Sequence, residues 1–101
     1  MKERYNVQTE NSVYVAEKRE DRWYIQKVWP KTDDREFMVM TFTTDRRVYD
    51  DVKKDLKTAL KNAGSYRYAS PLEPGAFILH SGGCTTPIRS SKKVEEIRLA
   101  A

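Results

Sequence analysis

Three sets of residues in this chain have types and spacings suited to chemistry. His80 and Cys84 are the only members of their types. They flank Ser81-Gly82-Gly83, where an apolar run meets a glycine-containing loop. An imidazole close to a thiol can draw off its proton and make a nucleophile, so Cys84 as nucleophile with His80 as base is the enzymatic reading. Against it, no acidic partner for His80 stands out, and the chain has no GxSxG, CxxC, HExxH or phosphate-loop pattern. A lone cysteine more often behaves as a small apolar group. One histidine and one cysteine cannot build a structural zinc site. The pairs Asp33-Asp34 and Asp50-Asp51 are chain neighbours whose side chains diverge, so no metal site and no cofactor is expected.

The second set mixes cations with rings. Arg22, Trp23, Lys27, Trp29 and Arg35 alternate along the first half, with Tyr5, Tyr14, Tyr24, Tyr66, Tyr68, Lys18 and Arg67 nearby. Nucleic acid favours this mixture, because cations neutralise phosphates while rings stack on bases. Lys53 and Lys57 lie one helical turn apart and extend the pattern. Glu17, Glu20, Asp21, Asp33, Asp34 and Glu36 cancel much of this charge, and the whole chain carries only +4. The third set is Trp23, Trp29, Met38 and Met40, aromatic and thioether groups of the kind that anchor protein interfaces or dimers.

Positioning these groups requires a sheet. Val13–Ala16, Arg22–Trp29 and Glu36–Thr43 are rich in β-branched, aromatic and long apolar residues. Short polar connections between them predict an antiparallel meander, with a weaker strand over 4–8. Pro30 ends the second long strand. Alternation places Trp23, Ile25 and Trp29 opposite Tyr24, Gln26 and Val28. It likewise sets Phe37, Val39 and Thr41 against Met38, Met40 and Phe42. Val48, Val52, Leu56, Ala59, Leu60 and Ala63 recur at helical spacing and predict one main helix over about 45–63. Thr44 or Asp45 would cap its start and Gly64 would take the left-handed position after its end. Pro71–Gly75 reads as a turn-rich connection, and Ala76–His80 as a buried strand. From Ser90 or Ser91 to Leu99 the reading is a short C-terminal helix, with an edge strand as the alternative.

The expected fold is therefore α+β: one domain over residues 1–101, an antiparallel sheet of about four to six strands, and one helix on one of its faces. Both faces of the long strands carry large apolar groups, more than one helix can cover. That surplus predicts a docking surface. Three antiparallel strands followed by a packed helix, with Thr41-Phe42-Thr43-Thr44 at the junction, resemble over about 12–63 the small phage-integrase-type and related plant DNA-binding domains. The resemblance implies a sheet that enters the major groove of DNA.

With 101 residues, no apolar run long enough to span a bilayer and no secretory leader, a small cytoplasmic protein without a membrane partner is expected. The leading functional expectation is a non-catalytic module that contacts nucleic acid in a regulatory or host-directed accessory role. The alternative is a protein-interaction or homodimer-forming module that inhibits or adapts another protein.

Overall fold

The computed structural model describes residues 3–94. Four strands run consecutively: β1 (Glu3–Thr9), β2 (Val13–Arg19), β3 (Arg22–Trp29) and β4 (Glu36–Thr43). Two helices follow, α1 (Arg47–Lys54) and α2 (Leu56–Lys61), then a single 3-10 turn over Ala63–Ser65. The chain closes with β5 (Phe77–His80), β6 (Gly83–Cys84) and β7 (Ile88–Lys93). The fold is α+β, as expected, with one seven-stranded antiparallel sheet ordered β6-β5-β4-β3-β2-β1-β7.

The sheet curls until its two ends meet. The Ile88 N–H at the start of β7 donates to Ala76 O (2.7 Å), and Gly75 N–H donates back to Ile88 O (2.8 Å). Ala76 immediately precedes β5, so the ring of strands is nearly closed. Its interior holds Val7, Ala16, Ile25, Phe42, Ile78 and Ile88. Ala69, Leu72 and Ala76, from the segment between α2 and β5, complete the filling. A second core lies on the opposite side of β5, where Phe77 and Leu79 meet Val48, Ala59, Ala63 and Tyr66. Adjacent residues of β5 thus serve two cores, as the period of two dictates.

Several expectations change in detail. The predicted helix is two helices, because Asp55 adopts an extended backbone (φ −167°). Its carboxylate accepts from Lys57 N–H (3.1 Å) and Thr58 Oγ1 (3.1 Å). Asp prefers such a capping role to a helix interior, so the break falls there while the apolar stripe is preserved. Arg46 holds the cap position of α1 without a side-chain bond. Asp45, one residue earlier, accepts from Arg47 N–H at 3.0 Å. Gly64 lies in the 3-10 turn, and its φ is not positive. Residues 88–93 form an edge strand rather than the start of a helix, while the remainder of the predicted C-terminal helix lies outside the described residues.

Two bulges redistribute the long strands' side chains. The β2–β3 register skips Val28, passing from Tyr14↔Lys27 to Val13↔Trp29. The β4–β5 register skips Met40. A bulge reverses the alternation beyond it. Phe42 therefore joins Phe37 and Val39 in the inner core, and Trp29 turns outward to 63% exposure. The sheet's own curl absorbs most of the apolar surplus that suggested an uncovered face.

Candidate functional site: a split in the sheet

The ladder between β3 and β4 is short. It joins Gln26↔Glu36, Ile25↔Phe37 and Tyr24↔Met38, and it stops there. Beyond Met38, β4 is drawn away. Met38 N–H donates to Ser81 Oγ (3.3 Å), Met38 O accepts from Ser81 N–H (3.0 Å), and the Met40 bulge follows. Past the bulge, β4 pairs with β5 on one side. On its other side it takes Ala69 N–H at Phe42 O (2.8 Å) and the Thr43↔Tyr68 bridge. Arg22 and Trp23 are left paired to β2 alone.

A cleft of about 510 Å³ opens where the strands part. One wall is the hairpin stretch Asp21-Arg22-Trp23 with Lys18; the other is Val39-Met40-Thr41-Phe42, with Tyr68 and Pro71 at the rim. Val39–Phe42 line the cleft together because the bulge at Met40 interrupts the alternation there and β4 no longer pairs with β3 beyond Met38. A second chamber of about 400 Å³ continues past the shared residues Lys18, Trp23 and Pro71 to Tyr5, Leu72, Ser91 and Glu3. Both volumes lie within the ~300–1,000 Å³ span of small-ligand clefts.

Trp23 forms the floor between the chambers. Its ring lies 5.8 Å from Tyr5 and 5.9 Å, edge-on, from Phe42. Met40 and Tyr68 stand at the mouth, 39% and 65% exposed. The Arg22 guanidinium lies 3.3 Å from the Met38 sulfur. Neither Arg22 nor Lys18 has an ion-pair partner among the described residues. Asp21 and Glu3 balance them, so the walls carry little net charge.

The outer face of β1–β4 is different. Glu17 is bound by Arg4 (3.0 Å) and Arg19 (3.0 Å), and Arg19 reaches on to Glu36. The hydrogen bond from Arg19 is the main cause that holds the Glu17 carboxyl below its usual range. The Arg19 guanidinium also covers the Tyr24 ring at 4.7 Å. This face is a self-neutralised polar surface.

The structure scatters the residues chosen for nucleic acid. Arg22 and Trp23 are in the cleft. Trp29 sits six residues along the same strand, roughly 20 Å away. Arg35 is held by Asp33 (3.0 Å) and lies over the Phe37 ring at 5.4 Å. Lys27 is partly buried on β3, while Lys53 and Lys57 are exposed on two different helices. The interface set divides in the same way: Trp23 and Met40 meet in the cleft, Met38 lies opposite Tyr24, and Trp29 is remote. The three-strand-plus-helix layout is embedded in the larger curled sheet, so β2–β4 are not a free blade for a DNA groove.

His80 and Cys84 are not brought together as nucleophile and base. Leu79 pairs with Cys84, whose side chain packs with the helix-side core. His80 follows Leu79 and turns the other way, against the Phe37 ring at 5.0 Å. Its Nδ1 accepts from Gly82 N–H (3.0 Å). Burial pulls the imidazole down to about 4 and pushes the thiol up to about 12. Both groups are therefore neutral near pH 7, the reverse of an activated pair. Among the described residues no cluster of three or more metal-ligating side chains occurs, and no helix is long and apolar enough to cross a membrane.

Sequence reasoning passed over Val39, Pro71 and Leu72 as site residues. Leu72 was visible as a single aliphatic residue inside an otherwise turn-forming Pro-x-x-Pro-Gly stretch. Its place beside Trp23 arises from chain closure, which no local pattern encodes. The chain matches no known protein-family model, no curated protein and no solved structure.

Proposed function

We propose that this chain is a small non-catalytic binding module that takes an extended segment of a partner protein into the split between β3 and β4. One observation carries the reading: the cleft is walled by the start of β3, Arg22–Trp23, and by Val39–Thr41 of β4, stretches that do not pair with each other. Strand edges bind extended polypeptide through main-chain hydrogen bonds, and alternate side chains enter pockets that supply specificity. Trp23, Phe42 and Met40 offer such pockets, and Tyr68 offers a rim. An adaptor or inhibitor acting on another protein needs no more machinery than this.

The unpaired Lys18 and Arg22 beside Trp23 and Tyr68 favour a second reading, single-stranded nucleic acid stacked on the rings. Asp21 and Glu3 in the same walls oppose a polyanion, which ranks this reading below the first.

Peptides selected from a displayed random library test the proposal. Bound peptide should shift and protect backbone amides at both Arg22–Tyr24 and Val39–Phe42, and Trp23→Ala should weaken it by about tenfold or more. Perturbation confined to one wall, or binding indifferent to Trp23→Ala, overturns it. If the protein instead retains oligo-dT or oligo-U and releases it steeply between about 50 and 200 mM salt, the second reading replaces the first.

A further inference from the structure

The inner chamber, about 400 Å³, is open and lined by groups at depths that strand register fixes. Glu3, Tyr5 and Val7 alternate along β1 on the face that fills the inner core. Glu3 stands opposite Lys18 at the end of the sheet, and Lys18 stands opposite Trp23. Tyr5 lies one step further in, its ring 5.8 Å from Trp23. Ser91 stands opposite Val7, another step in. The charged rim and the level of Ser91 are therefore roughly 13 Å apart along β1, with the two rings between them. Pro71 and Leu72, on the strap of residues 69–76, form the remaining wall.

Three polar groups of this chamber lack partners. Glu3 and Lys18 carry opposite charges on facing positions, yet neither is in an ion pair among the described residues. Ser91 Oγ is buried with no hydrogen-bond partner among the described residues. A buried hydroxyl left unpaired is costly, and a ligand group that meets it recovers that cost. A rim with one anion and one cation suits a zwitterion. Rings such as Tyr5 and Trp23 accept a further ring by offset or edge-on stacking. The hydroxyl beneath them suits a polar group at that ring's far end.

We propose that the inner chamber binds a free amino acid with a hydroxylated aromatic side chain, L-tyrosine being the simplest example. Lys18 takes the carboxylate and Glu3 the ammonium group. Tyr5 and Trp23 hold the ring, and Ser91 Oγ meets the phenol. This site does not rest on strand addition between β3 and β4.

Titration of L-tyrosine into the whole chain, followed by amide NMR, tests the proposal. Shifts should saturate at the Glu3, Tyr5 and Ser91 amides and at the Trp23 indole N–H. L-phenylalanine, tyramine and hydroxyphenylpropionate each lack one of the three polar groups, and each should bind about fivefold or more weakly. Ser91→Ala should erase the preference for L-tyrosine over L-phenylalanine and keep the preference over tyramine. Its melting temperature should not fall, because the hydroxyl it removes has no partner to lose. Absence of any saturable shift would mean that Glu3 and Lys18 only neutralise each other, and it overturns the proposal. So does equal binding of L-tyrosine and L-phenylalanine, or a preference between them that survives Ser91→Ala. Tyramine or hydroxyphenylpropionate binding as tightly as L-tyrosine overturns the zwitterion and the proposal with it. The amides of Val39–Thr41 report separately on peptide in the cleft, so strand addition stands or falls on its own.

Discussion

His80 shows how one side chain's chemistry is set by what surrounds it. At the turn between β5 and β6 its Nδ1 is an acceptor for Gly82 N–H, and burial holds the ring neutral. Gly82 is required there, since a Cβ would stand 2.5–2.9 Å from the Phe37 ring. The folded imidazole titrates near 4, whereas an unfolded one titrates near 6.5. Between those values the unfolded chain binds a proton that the folded chain refuses, so stability falls as the pH drops from about 6.5 toward 4. The full loss is on the order of 3 kcal/mol. Thermal unfolding of wild type and His80→Gln at pH 7 and pH 4.5 checks this: the wild type should lose markedly more on acidification. Carboxylates held low by arginines, Glu17 and Asp33 among them, contribute their own loss at more acid pH.

Turns and bulges decide what each strand presents. The β2–β3 hairpin closes through Glu20-Asp21, with Arg19 paired to Arg22 and Glu20 at φ 56°. A two-residue hairpin favours positive φ in its loop, which Gly supplies without steric cost. Glu20→Gly should stabilise the fold by about 0.5–1 kcal/mol and raise the melting temperature by several degrees, as scanning calorimetry would show. The hairpin's position also matters to the cleft, because it carries Lys18, Asp21, Arg22 and Trp23 as one wall. The Met40 bulge sets the opposite wall: it turns Phe42 inward and bends β4 away from β3. The helical elements are simpler. Their stripe from Val48 to Ala63 packs on Phe77 and Leu79, and Tyr49 Oη donates to Thr85 O at 2.8 Å, tying α1 to the loop after β6.

Closure makes the molecule a unit. Residues 75–76 and 88 bring the two ends of the sheet together, and this contact bounds the inner core and brings the strap over it. Ile88 is 2% exposed and sits at the seam. Ile88→Ala should cost about 2–5 kcal/mol in a urea titration, because it removes buried methyl groups where both ends of the sheet must meet. It should also accelerate exchange at Gly75, whose amide binds Ile88 O. The solvent-facing pair of Arg19 with Glu36 on the outer face, by contrast, contributes little, since water and salt screen it.

Much of this architecture was readable one segment at a time. Alternation marked β3 and β4, β-rich and continuous apolar runs marked β2 and β5, and the 3.6-residue stripe marked the helical region, because local side-chain spacing must match local backbone geometry. Asp55 caps a second helix inside that stripe, yet its neighbours Leu56, Ala59 and Leu60 keep the helical spacing, so local pattern alone does not reveal the break. The joining of distant chain ends was not readable. Two bulges reverse the facing of Phe42 and Trp29, and Ile88 meets Ala76 twelve residues earlier only after the sheet has curled. Those events depend on how the strands share one interior. The cleft is their product, so Trp23, Met40 and Tyr68 come to line one opening through tertiary packing alone.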